Sequence, residues 1–176
     1  RMEYFELIQS EAVENPLEIT KLDRQKYKYA MTEADFQALD RLKVAYFSGR
    51  EFEEPCDILT EPTYLVSDRL RGVLELYDKN IAFKGIQLFP TAEESRNYPI
   101  YWVPWFQMSA CLHESSEKYD NGMLKNLVLD GKRISGCHIF RMSGLQEYKV
   151  VVSLPVAESI MRRRFYGVSL RKIEVK

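Results

Sequence analysis

This sequence predicts an α/β or α+β fold, a mixed sheet with short helices packed on it, and three observations point there. Apolar runs with the period of a strand recur along the whole chain. Two of them lead through a serine directly into a short amphipathic segment. Each of those segments then yields, across a glycine, to a further apolar run. The first unit opens with Tyr64-Leu65-Val66-Ser67 and closes on Gly85-Ile86-Gln87-Leu88. The second opens with Val150-Val151-Val152-Ser153 and closes on Gly167-Val168-Ser169-Leu170. Duplication and the generic grammar of cap, helix, glycine and strand both account for the echo. Either way, strand–helix–strand units are expected over 63–89 and 148–175.

Met2 to Gln9 alternates loosely through Tyr4, Phe5, Leu7 and Ile8 and reads as a first strand. Polar residues from Glu11 to Pro16 end it. Thr32, followed by Glu33, Ala34 and Asp35, reads as a helix start with a weak capping box. Phe36, Leu39, Leu42 and Lys43 extend the helical spacing to about Ser48-Gly49, and Glu51 to Pro55 forms an acidic loop. Thr63 to Val66 is a short strand. Ser67 then stands at an N-cap, where its oxygen can accept from the first-turn amides, and Asp68 suits the positive end of the helix dipole. Leu70, Val73, Leu74 and Tyr77 share one face of that helix. After Lys79-Asn80 the chain returns through Phe83 and Gly85 to a strand, Ile86 to Phe89.

Ile100 to Phe106 reads as a strand, and Pro99 and Pro104 favour the edge of a sheet because they cannot donate to a ladder. Asp130-Gly131, between Lys125 to Leu129 and Lys132 to Ile134, signals a hairpin. Cys137 to Met142 and Tyr148 to Val152 are two more strands, expected to be neighbours. Ser153 caps the second helix, whose first turn tolerates Pro155. Val156 and Ile160 sit at the offsets that Leu70 and Leu74 hold from Ser67. Gly167 ends the helical part, and Val168 to Val175 alternates as a final strand.

The 176 residues, 45% apolar and 29% charged, suit one soluble domain over 1–176, within which 1–57 could form an N-terminal subdomain. No apolar run approaches the roughly 18–20 residues that cross a bilayer, so no membrane partner is expected. The first residues lack the layout of a signal peptide, and Arg1 ahead of Met2 reads as a cloning remnant. Cys56, Cys111 and Cys137 are irregularly spaced, which argues for reduced thiols and a cytoplasmic protein. The net charge of −1 conceals a gradient: −5 over residues 1–60, −3 over 61–120 and +7 over 121–176. The ends can neutralise one another in the fold, or the basic part can face an acidic partner. No basic stripe interleaved with aromatics suggests nucleic acid.

No nucleophile elbow, Walker loop, dinucleotide fingerprint or His-Glu-x-x-His occurs, so no catalytic residue, metal or cofactor is assigned. His113 and His138 are the two histidines. With Cys111 and Cys137 they could form a split zinc site, or a cysteine nucleophile helped by Glu114. In strands, Cys111 and His113 share a face while Cys137 and His138 oppose each other, so at most three of the four converge. Glu53-Glu54 and Glu93-Glu94 read as solvated loop carboxylates. The aromatic run Tyr98, Tyr101, Trp102, Trp105 and Phe106 is either buried beneath helices or exposed as interface anchors. Arg162-Arg163-Arg164 complements the negative end of the second helix, or joins Arg171 and Lys172 in a recognition patch. The candidate partner-binding residues are therefore Tyr101, Trp102, Trp105, Phe106, Arg162, Arg163 and Arg164.

Leu65-Val66-Ser67-Asp68-Arg69-Leu70, together with Val152-Ser153, Ala157-Glu158-Ser159 and Gly167-Val168, resembles the immunity proteins of bacterial polymorphic toxin systems, the eleventh type in that naming. The resemblance runs over Thr63 to Phe89 and Val150 to Lys176 and leaves 90–149 without a matching pattern. It implies a cytoplasmic, non-enzymatic protein that binds and neutralises a cognate toxin domain. Two rivals stand beside it. One is a small enzyme or zinc-dependent protein built on Cys111, His113, Cys137 and His138. The other is a self-associating module that forms a homodimer through Trp102 and Trp105.

Overall fold

The computed structural model describes residues 1–14, 16–48, 55–92 and 96–176. In chain order they form β1 (Tyr4–Gln9), β2 (Glu18–Thr20), α1 (Glu33–Gln37), β3 (Leu42–Ser48), β4 (Ile58–Leu59), β5 (Leu65–Ser67), α2 (Asp68–Tyr77) and β6 (Ala82–Pro90). Then follow β7 (Ile100–Trp105), β8 (Met108–Ser109), β9 (Glu117–Lys118), β10 (Leu124–Asn126) and β11 (Val128–Leu129). The last elements are β12 (Ile139–Met142), β13 (Val150–Ser153), α3 (Leu154–Met161) and β14 (Val168–Val175).

Sheet dominates, and the helices are few and short. A first mixed sheet runs β11-β14-β1-β13-β12-β8 and a second runs β2-β3-β6-β7-β5-β4. Both use one connection. In the first sheet β13 and β14 each pair antiparallel with β1, so they run parallel to each other with β1 between them. In the second sheet β5 and β6 flank β7 in the same way. Each pair of parallel strands is joined through one helix, α3 or α2.

The helices form where cap and apolar face coincide. Ser67 Oγ accepts from Leu70 N–H at 3.2 Å, and Leu70, Val73 and Leu74 on the inner face of α2 are buried. On α3, Val156 and Ile160 are buried at the equivalent offsets. These side chains share one apolar cluster with Leu7, Ile139 and Val152 from the first sheet and Ile58 and Val66 from the second. Each aliphatic side chain withdrawn from water there contributes about 1.5–3 kcal/mol, so the helix pair supplies much of what joins the sheets. The second sheet buries its other face under Leu17, Tyr27, Met31, Phe36 and Leu39. The first buries Tyr4, Phe140, Val151 and Ile173 against Cys111, Leu129 and Ile134.

Three expectations are corrected. The helix begun at Thr32 has both bonds of its capping box, Asp35 N–H to Thr32 Oγ1 at 3.1 Å and Thr32 N–H to Asp35 Oδ2 at 2.9 Å. It nevertheless stops at Gln37, and Leu42 to Ser48 is a strand beside β6. The helical spacing had joined two elements. Phe36 and Leu39 are buried while Leu42 is 56% exposed, and from there burial alternates, with Ala45 and Phe47 inward. Gly49, most of the acidic loop and the pairs Glu53-Glu54 and Glu93-Glu94 lie outside the described residues.

Asp130-Gly131 does not turn a hairpin. Neither residue has a positive φ, and β11 pairs in parallel with β14 instead. Gly131 N–H donates to Lys176 O at 2.8 Å, so the last strand captures this segment. Finally, β7 is an interior strand between β6 and β5, not an edge. Pro104 is tolerated because β5 is short: it pairs with Tyr101 and Trp102, and β7 runs on past it.

Candidate functional site

Burial divides the aromatic run. Tyr101 and Phe106 are each 1% exposed and serve as core. The Tyr101 hydroxyl donates to Cys56 O at 2.6 Å, and burial raises its pKa. Trp105 is half-buried and stacks on Phe36, the ring centroids 5.8 Å apart. Trp102 is half-buried as well, and its ring is pinned. Its Nε1–H donates to Asp68 Oδ1 at 2.9 Å, and the Arg71 guanidinium lies 4.0 Å from the ring centroid. Arg71 also pairs with Glu75. Gly85 makes the close approach possible, since a Cβ there would come within 2.9 Å of the indole.

The charge gradient closes on itself in part at the first sheet. Lys149 pairs with Glu6 at 3.1 Å, Lys172 with Glu3 at 2.8 Å and Arg171 with Glu11 at 3.5 Å, so the basic C-terminal part meets the acidic start of the chain. Of the cations in residues 121–176, Lys132, Arg141, Arg163 and Arg164 have no ion pair among the described residues. Two of these four, Arg163 and Arg164, sit exposed just past the end of α3. There Arg162 Nε–H donates to Glu158 O at 3.3 Å and Arg163 Nη1–H to Ser159 O at 2.7 Å. The arginines thus cap carbonyls of the last turn, the role expected of cations at a helix C-terminus. They keep charge to spare.

The two candidate patches meet because the helices lie side by side in opposite directions. Tyr77 at the end of α2 donates from its hydroxyl to Pro155 O at the start of α3, at 3.2 Å. At the other end the Arg69 guanidinium lies 4.9 Å from the centroid of Phe165, the residue after Arg164. A continuous band therefore runs from Trp102 through Asp68 and Arg69 to Phe165 and the three arginines.

Asp57 fixes that band from below. Its side chain is 2% exposed, yet it accepts from Ser67 Oγ at 2.6 Å, Arg69 Nε at 2.9 Å, Arg69 Nη2 at 2.8 Å and Tyr166 N at 2.7 Å. A carboxylate survives burial only with such a set of donors. Here the set ties the start of α2 to the segment after α3. A groove of about 430 Å³ opens over it, with Pro55, Asp68, Arg69, Asn97, Pro99 and Ile100 among its walls.

The cysteine and histidine candidates do not assemble as a group. His113, Cys137 and His138 line one cleft, whereas Cys111 is fully buried in the cluster behind β12 and burial raises its pKa. Among the described residues no three His, Cys, Asp or Glu side chains converge as a metal ion requires. Sequence reasoning had given Asp57, Arg71 and Phe165 no role and had taken Arg69 only as part of a scaffold motif. Asp57 carried no local signal, because its partners stand at 67, 69 and 166. Arg69, two residues after a capping serine, was the position that could have been read as exposed charge.

Among curated proteins none matches this chain. The immunity protein family (Imm11) matches residues 10–175, extending the two segments that carried the resemblance across the region between them. With nearly its whole length accounted for in this way, the chain belongs to that immunity protein family.

Proposed function

We propose that this protein is a non-enzymatic, cytoplasmic immunity protein that binds a cognate toxin domain of a bacterial polymorphic toxin system and neutralises it. The family match over residues 10–175 carries the reading. The binding surface is the band at the shared end of α2 and α3. Trp102 supplies a pre-oriented aromatic anchor, and Arg162, Arg163 and Arg164 supply exposed positive charge. Pinned Trp and Arg side chains suit this role because little freedom remains to be lost on binding. Trp105 contributes only if its exposed edge is reached, and Tyr101 and Phe106 act indirectly, by holding β7 in place. The partner presents an acidic face, and charge of this kind raises the rate of encounter.

The test is co-expression with the toxin-like product of a neighbouring gene, followed by growth and pull-down assays. The intact chain should protect and co-purify. Reversing the three arginines to glutamate should weaken binding by roughly tenfold or more, with the loss greatest at low salt and the thermal unfolding midpoint little changed. Absence of both protection and binding by the intact chain would sink the reading. Retained binding by the reversed variant would move the surface elsewhere.

A further inference from the structure

A second concavity, of about 710 Å³, opens between the start of β1, the turn after β11, the loop before β12 and the end of β14. That volume falls within the roughly 300–1,000 Å³ of sites that hold small organic molecules. The cleft is separate from the band at the end of α2 and α3, and nothing in the proposed function uses it.

Its walls are biased in charge. Lys132, Lys176, His113 and His138 stand around one side-chain carboxylate, that of Asp130. Asp130 is already engaged: Oδ1 accepts from Lys132 N–H at 3.0 Å, and Oδ2 lies 3.5 Å from Arg133 Nε. Lys176 stands 3.8 Å from Glu174. Lys132 is exposed and is one of the four cations of the basic C-terminal part that have no ion pair among the described residues.

The imidazoles are held from behind. Ser115 N–H donates to His113 Nδ1 at 3.1 Å, so the neutral ring carries its proton on Nε2. His138 Nδ1 meets Ser153 Oγ at 2.7 Å. In both rings Nδ1 is taken by a serine, and Nε2 is the nitrogen left for a ligand. The Tyr4 hydroxyl is turned to the carbonyls of Ile134 and Cys137, at 3.0 and 2.9 Å, which fixes the loop that forms one wall. Gly136 on that loop has φ +79°, and no atom lies within 4 Å of the position a Cβ would take, so the wall is open there. The one side-chain carboxylate of the cleft is engaged, and Lys132 has no ion pair among the described residues. That inventory suits an acceptor-rich anion and not a metal ion.

We propose that this cleft is a binding site for a small organic anion, a carboxylate or a phosphate ester, whose oxygens are held by Lys132 and the two imidazoles. Charge-assisted donors of this kind make the stronger class of hydrogen bond. Tyr4, Met2 and Val175 give the organic part apolar wall to lie against.

Proton NMR of the imidazoles tests this directly, because the chain has two histidines to assign. The whole chain is titrated with citrate and, separately, with glycerol phosphate at constant ionic strength, with glycerol as the uncharged control. Both imidazole signals should shift saturably with at least one of the anions and not with glycerol. Whichever anion saturates at the lower concentration assigns the class. Lys132→Gln, in an exposed turn, should weaken the apparent affinity by at least about threefold. His113→Gln should do the same to the surviving His138 signal. No saturable shift with either anion overturns the proposal, and so does an unchanged affinity in Lys132→Gln. A response to zinc chloride but to neither anion overturns it as well.

Discussion

Ser67 and Ser153 occupy the same place in two equivalent connections, at the start of α2 and of α3. Their backbones nearly coincide, with φ −67° and ψ 164° against φ −73° and ψ 165°. Their hydroxyls go to different partners. Ser67 accepts from Leu70 N–H and donates to buried Asp57, whereas Ser153 makes no side-chain cap and meets His138 Nδ1. The reason lies in what each helix start needs. At α3, Leu154 N–H donates to Glu3 O at 2.9 Å, and Pro155 has no amide to satisfy, so two of the first-turn demands are met without the serine. At α2 no proline relieves the first turn, and a buried carboxylate stands beside it. Backbone geometry alone therefore does not say what a capping residue does. The groups behind it decide.

The largest expected effect tests both halves at once. Burial raises the pKa of Tyr101 and Tyr64 in the half around Asp57, and of Tyr4 in the half around His138; Tyr27, under the second sheet, is pushed up to about 12. The folded state holds these phenolic protons more tightly than the unfolded chain, whose tyrosines titrate near 10. Stability from this source is complete below about pH 10 and is lost as pH rises through the folded values. Urea midpoints should thus fall steeply between about pH 10 and 12, along with late-onset tyrosinate absorbance. A midpoint that stays level across that window contradicts the assigned burial.

Next comes Asp57→Ala, which removes the acceptor shared by Ser67, Arg69 and the Tyr166 amide. A loss of about 3–5 kcal/mol in equilibrium unfolding is expected, the scale for removing one partner of a buried charged network. A loss under about 1 kcal/mol would show that Arg69, whose side chain is 55% exposed, and water supply what the carboxylate does. The smallest effects sharpen the contrast between the serines. Ser67→Ala removes a cap and a donor to a buried carboxylate and should cost about 2 kcal/mol. Ser153→Ala removes neither and should cost about 1 kcal/mol or less. Equal losses in urea unfolding would erase the distinction.

How far each feature was legible follows from how local its cause is. The helix starts at Ser67 and Ser153, the inner face of α2 and the strands β12 and β13 were readable because neighbouring residues determine them. The side-chain cap expected at Ser153 is absent because its hydroxyl goes to His138. The course of Leu42 to Ser48 was not readable, since pairing with β6 overrides a spacing that also fits a helix. Asp130-Gly131 misled for the same reason: a partner strand some forty residues away outbids the local turn signal. The position of β7 needed the length of β5, which no pattern in β7 reveals. For the candidate surface, the arginines and Trp102 were visible as residue types, but their meeting through Asp68, Arg69 and Phe165 depends on two helices lying antiparallel. Asp57 is the extreme case, with one of its donors 109 residues away.

The place of β1 has a consequence for synthesis. Tyr4–Gln9 finds its partners in β13 and β14, which are synthesised about 150 residues after it. The strand therefore has to wait, its amides hydrated and its apolar side chains available to chaperones, until Val150–Ser153 and Val168–Val175 have been made. The first sheet therefore closes late in synthesis, and a chain broken off ahead of Val150 leaves Tyr4–Gln9 without either of these partners.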